Sequence, residues 1–151
     1  MNFFKTFSIV ALVALTYTSC KKEEEKKDDN TSGGKTNLEL LTQKDWKVSG
    51  ITASGNDVWG LVSDCDKDNQ YNFRTDDSLV LYDNILKCQS TDPDSTVSAY
   101  KLYNQTKIIL DLKISTIQLQ DTTNIIEITE STMKLDANYS GIPATITFIH
   151  P

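Results

Sequence analysis

Met133-Lys134-Leu135-Asp136-Ala137-Asn138-Tyr139, Ser140-Gly141-Ile142-Pro143 and Ala144-Thr145-Ile146-Thr147-Phe148 together decide the fold. In the first piece Met133, Leu135, Ala137 and Tyr139 alternate with polar Lys134, Asp136 and Asn138, as in a strand with one apolar and one wetted face. Ser140 to Pro143 is a turn sequence, and in the last piece Thr145 and Thr147 alternate with Ile146 and Phe148. Two strands joined by so short a turn must pair antiparallel.

The same pattern runs outward to Trp46. Asn37 to Gln43 reads as one helical turn that covers an end of the domain. Trp46, Val48, Ile51 and Ala53 make a first strand with an irregularity at Gly50, closed by the turn Ser54-Gly55-Asn56-Asp57. Val58 to Asn69 is a longer connection. Tyr71 and Phe73 mark a second strand, then Thr75 to Ser78 turns into a third, with Leu79 and Leu81 on one face and its end near Cys88. Asp92-Pro93-Asp94 breaks the chain before a fourth strand with Tyr100 and Leu102, and Asn104-Gln105-Thr106 is a hairpin turn. Ile108, Leu110 and Leu112 predict a fifth strand. Ile117 and Leu119, the turn Asp121-Thr122-Thr123, and Ile126 with Ile128 follow. The expectation is an all-β domain of about eight short antiparallel strands. Closing into an up-and-down barrel removes its unpaired edges, and a two-sheet β-sandwich is the alternative that periodicity leaves open.

The formal charge of the chain is −6, and from Thr36 onward the basic residues are scattered singly along the strands. No cluster is suited to grip a phosphate backbone, so a nucleic-acid partner is not expected. Residues 36–151 form one small domain, marginal without a staple. Before it, Lys5, the apolar run Phe7 to Leu15 and Tyr17-Thr18-Ser19-Cys20 have the layout of an export signal, too short for a membrane span. This segment resembles the lipobox of bacterial lipoproteins in the relaxed form common in Bacteroidota. That resemblance implies a signal peptide over residues 1–19 and acylation of Cys20. Residues 20–35, charged and then Ser/Gly-rich, read as a solvated tether. The acidic residues soon after Cys20 look like a surface-export signal, which implies a lipid-anchored protein on the outer face of the cell outer membrane. A plain spacer that leaves the domain facing the periplasm is the other reading. With Cys20 acylated, Cys65 and Cys88 remain, and an even pair in an oxidising compartment is expected to bridge. The closed loop would contribute about 3 kcal/mol in the chain-entropy model. A metal pair is the competing reading, but the spacing is wrong for a zinc knuckle and His150 is the only histidine.

The order of features resembles the small lipocalin-like domains of Bacteroidota lipoproteins: Leu40-Leu41, Lys44-Asp45-Trp46-Lys47-Val48, Asp64 to Phe73, Leu86-Lys87-Cys88, Met133-Lys134-Leu135 and Thr145 to Phe148. The resemblance implies a calycin-type barrel with bridged cysteines and Trp46 packed over its closed end. Lys44 stands where lipocalins carry a glycine, and the chain is much shorter than theirs. Both departures count against an ample ligand cavity.

Two functions are weighed. One is a non-enzymatic, monomeric binding module for a small apolar or amphipathic ligand. Inward-facing Phe73, Leu81, Leu102, Leu110 and Phe148 would touch that ligand, and Trp59 would rim the opening. The other is an envelope accessory lipoprotein with a filled barrel, working through loops Val58–Asn69 and Lys87–Val97. No cofactor motif is present. Asp64, Asp66 and Asp68 open like a calcium loop, but the pattern fails at Asn69 and Thr75, so a solvated acidic loop is expected and no metal site. Asp76-Asp77 and Asp92/Asp94 are read as turn residues, not as a catalytic carboxylate pair. His150 is read as a strand-end surface residue.

Overall fold

The computed structural model describes residues 34–114, 117–119, 122–139 and 141–151. The leader of residues 1–19, Cys20 and the tether as far as Gly33 therefore lie outside the described residues. Helix α1 (Asn37–Thr42) is followed by strands β1 (Trp46–Ala53) and β2 (Asn56–Asp57), a 3₁₀ turn (Trp59–Leu61), helix α2 (Asp64–Lys67), and then β3 (Gln70–Phe73) and β4 (Ser78–Tyr82). The second half holds β5 (Ser95–Tyr103), β6 (Lys107–Leu110), β7 (Leu112–Ile114), β8 (Ile117–Leu119), β9 (Thr122–Ile128), β10 (Thr132–Tyr139) and β11 (Ile142–Ile149).

Eight of these strands run in the order β1-β3-β4-β5-β6-β9-β10-β11, each antiparallel to the next. Pairing of β11 with β1 closes the ring. The result is the up-and-down barrel expected from the sequence, and the sandwich is excluded. Turn chemistry explains the short connections. Ser54 (φ 48°) and Gly55 (φ 79°) form a two-residue hairpin loop with both residues left-handed, and Gly141 (φ 83°) supplies the same conformation between β10 and β11.

The ends are closed differently. Thr36 caps α1 in a reciprocal box with Glu39, and Leu40 and Leu41 are buried. Asn37 bonds the Gln105 carbonyl and Gln43 bonds the Glu130 carbonyl, so α1 lies across the end where the β5–β6 and β9–β10 turns sit. The helical turn covers an end as predicted. At the opposite end β7 and β8 form a separate two-stranded ribbon between β6 and β9, which sends Leu112, Ile114 and Leu119 into the core. This corrects the single fifth strand read through Leu112. Alternation continues across Asp111, but the chain leaves the barrel wall there. Thr122 and Thr123, read as a turn, begin β9, and the third strand stops at Tyr82, well before Cys88.

Two irregularities reset which side chains face inward. In β1 the register slips between Val48 and Gly50, so that Val48 and Ile51 both point inward opposite Phe148 and Ile146. In β9 the register slips opposite Lys134 and Leu135, leaving Ile126 as the extra residue. Ile126 is thereby turned outward and 55 % exposed, whereas Ile125 and Ile128 pack on the core.

One contiguous cluster fills the interior. Trp46, Tyr71, Phe73 and Phe148 are the largest of its members that are essentially inaccessible to solvent.

Candidate functional site

The wall between β1 and β3 is a place where the barrel departs from a continuous sheet. These strands pair only at Trp46/Tyr71 and Lys47/Gln70. Beyond that point the free edge of β1 is met by the connection from Val58 to Asn69, which runs back along the flank. The Val58 N–H donates to the Ile51 carbonyl at 3.0 Å, Val62 is buried in the core, and Val58 and Trp59 pack against it. The segment is thus a strap that seals the seam.

The strap is tied down at α2. Cys65 and Cys88 form a disulfide with their Cα atoms 5.2 Å apart, as expected from the sequence. Asp68 adds a second tie: one carboxylate oxygen accepts the Ile85 and Leu86 N–H groups at 2.9 Å each, and its carbonyl accepts from the Asn84 amide. Lys67 forms an ion pair with Asp64 at 2.9 Å and lies 5.7 Å from the centre of the Trp59 ring.

Beneath this corner sits Tyr71. It is 0 % exposed and its ring meets Phe148 edge-on, with centroids 5.7 Å apart. Its hydroxyl has no hydrogen-bond partner among the described residues. Burial, together with the negative charge of Asp66 on α2, pushes this phenol well above its ordinary pKa. A hydroxyl in apolar surroundings with nothing to bond is costly, so it marks a point where a polar atom of another molecule would be stabilised.

At the α1 end, Trp46 Nε1–H donates to the Leu41 carbonyl at 2.9 Å, which places Trp46 at the covered end, as the resemblance implied. His150 corrects the surface reading: its ring lies 4.0 Å from the Trp46 ring, and its Nδ1 bonds the Asp45 carbonyl at 2.7 Å. Two capping contacts account for it.

The predicted ligand residues divide into two groups. Phe73, Leu110 and Phe148 are fully inside, and Phe73 packs edge-on to Tyr100. Leu81 and Leu102 are half-buried. Trp59 lies on the flank strap and not on an open rim, since α1 and the β7–β8 ribbon occupy the ends. Tyr71 is the residue that sequence reading passed over as packing. The acidic residues of interest serve the loops. Asp76 accepts from the Ser78 N–H and hydroxyl, which holds its carboxyl below the usual range. Asp94 is held low by Lys87, 2.6 Å away. Asp64, Asp66 and Asp68 bond Lys67, Ser63 and the Ile85/Leu86 amides respectively, so they do not converge on one point. Cys65, Asp66 and Cys88 do gather, but both sulfurs are spent on each other.

The sequence profile of the lipocalin-like domain matches residues 42–135, more than half of the chain. The chain belongs to the lipocalin-like domain family. No curated protein matches it. The closed eight-stranded barrel is the architecture this family name describes, and it suits small-ligand binding in general. Among the described residues of this lipocalin-like domain, the inward side chains form one buried cluster.

Proposed function

We propose that this lipocalin-like domain is a non-enzymatic binding protein of the cell envelope, moored by an acylated Cys20 and taking one small amphipathic ligand. The observation that carries the reading is the buried Tyr71 hydroxyl, a polar atom without a partner among the described residues on the inner side of the barrel. An amphipathic guest would satisfy it with one hydrogen bond and replace side-chain contacts elsewhere with its apolar body. Phe148, Phe73, Leu81, Leu102 and Leu110 are the neighbours such a body would meet, with Trp59 on the strap as the reporter. Residence at the outer membrane surface follows from the lipobox-like leader and the acidic tether.

Titration of the purified protein with fluorescent lipids, following tryptophan emission, tests this function. Saturable one-to-one quenching is expected, and its absence with every lipid class would overturn the reading. Labelling of cells with palmitate tests the anchor: label is expected to be lost in Cys20→Ala.

A second reading has its own support. The described inward side chains pack into one cluster, and bare apolar residues lie on the Val58–Asn69 connection, where Leu61 is 85 % exposed, and just before Lys87, where Ile85 is 90 % exposed. Under this reading the barrel is a rigid stand whose Val58–Asn69 and Lys87–Val97 loops meet a protein partner in the envelope.

A further inference from the structure

We propose that ligand enters through the side of the barrel, at the β1/β3 seam, and that the Cys65–Cys88 disulfide holds this portal shut; the proposal rests on the binding function above.

Both ends of the barrel are expensive to open. At one, α1 is held by the Trp46 indole, by Asn37 and by Gln43, and Lys35 adds an ion pair to Glu130 at 2.9 Å. At the other, the β7–β8 ribbon would have to withdraw Leu112, Ile114 and Leu119 from the core. The strap costs far less. Of residues 58–63, only Val62 is fully buried, while Leu61 already faces solvent. Local opening is favoured where few apolar contacts are lost. What restrains the strap is its C-terminal part, where the disulfide and the Asp68 contacts fix α2 to the β4–β5 loop. Cys88 is exposed and Cys65 half-buried, so a thiol reductant can reach the bridge. Reduction breaks the S–S bond and yields two thiols. The two electrons and two protons come from a dithiol, which becomes a disulfide.

The site also selects its guest. Tyr71 offers an unpaired hydroxyl on β3, and the segment that seals the seam brings the Asp66 carboxylate and the buried second carboxylate oxygen of Asp68, which has no partner among the described residues. A carboxylate head would be repelled there, whereas a neutral carbonyl, amide or alcohol head would accept or donate one hydrogen bond. The ligand class is therefore a neutral amphipath.

The full chain is titrated with Nile red, a neutral dye with a carbonyl acceptor, and with dansyl-undecanoic acid, before and after reduction by dithiothreitol. Thiols are counted, and near-UV circular dichroism is recorded to verify retained packing. The reduced protein is expected to bind Nile red about tenfold more tightly than the oxidised one and to prefer it over the acid, and Tyr71→Phe in the reduced protein should cost about five- to tenfold. Val62→Ser, which loosens the strap with the bridge intact, should tighten Nile red binding as well. This variant decides the matter if reduction disrupts packing. Equal affinity in both redox states, with Val62→Ser unchanged, would overturn the portal and leave the binding function standing. No saturable binding in any form would overturn both. Indifference to Tyr71→Phe, or a preference for the acid, would overturn the guest assignment.

Discussion

At the scale of single residues, Trp46 and Tyr71 make opposite predictions. Trp46 is buried, bonds the Leu41 carbonyl and carries His150 on its face. Trp46→Ala removes both contacts and leaves a large cavity, so urea unfolding should show a loss of about 3 to 5 kcal/mol. Tyr71→Phe removes a hydroxyl that bonds nothing among the described residues, so in the same assay the unliganded variant should gain about 1 kcal/mol or more. A loss would mean that the hydroxyl is satisfied in the free protein. Ionisation gives a further handle. Tyr71 and Tyr100 have ordinary values of 10.0; burial raises both, Tyr100 to about 12, and nearby aspartates add to the shift. A phenol that ionises later in the folded than in the unfolded chain contributes stability below pH 10, and this is lost as the pH climbs through the folded value. Urea midpoints should therefore fall from about pH 10 upward, and less steeply in Tyr100→Phe. A flat profile would contradict the burial of these phenols.

At the scale of elements, the disulfide and the bulges carry the argument. Cys65→Ser with Cys88→Ser should lower stability by about 3 kcal/mol without altering the far-UV spectrum, because the bridge constrains the unfolded chain more than it shapes the strands. Loss of strand signal would contradict that. The bulge in β1 was legible because Val48 and Ile51 are both apolar and three apart, with Gly50 between them. The one in β9 was not, because Ile126 and Ile128 mimic a regular inward pair while Ile125 looks like an interruption. Pairing with β10 decides it, and pairing is a long-range fact that local alternation does not contain. The same limit hid the break at Asp111: Ile108, Leu110, Leu112 and Ile114 all face the core, but across two elements. Turn residues were more dependable, since Gly55, Gly141 and Asn104 take up left-handed backbone where their chemistry favours it, and Ser54 and Gln105 follow beside them.

At the scale of the molecule, short turns made the antiparallel meander readable, and the two cysteines marked where it is stapled. The seam between β1 and β3 was not readable, because it depends on where two strands stop pairing, and Tyr71 became visible as a site only when its neighbours were known. The central claim is a ring closed by β1 and β11 around a packed interior, with the strap as its least secure wall. Hydrogen exchange of backbone amides under native conditions tests this most directly. Amides of Val48, Ile51, Ile146 and Phe148 should be protected to the level of global unfolding, and those of Leu61 to Ser63 should exchange orders of magnitude sooner. Rapid exchange along β1 and β11, or a strap as slow as the strands, would contradict the account.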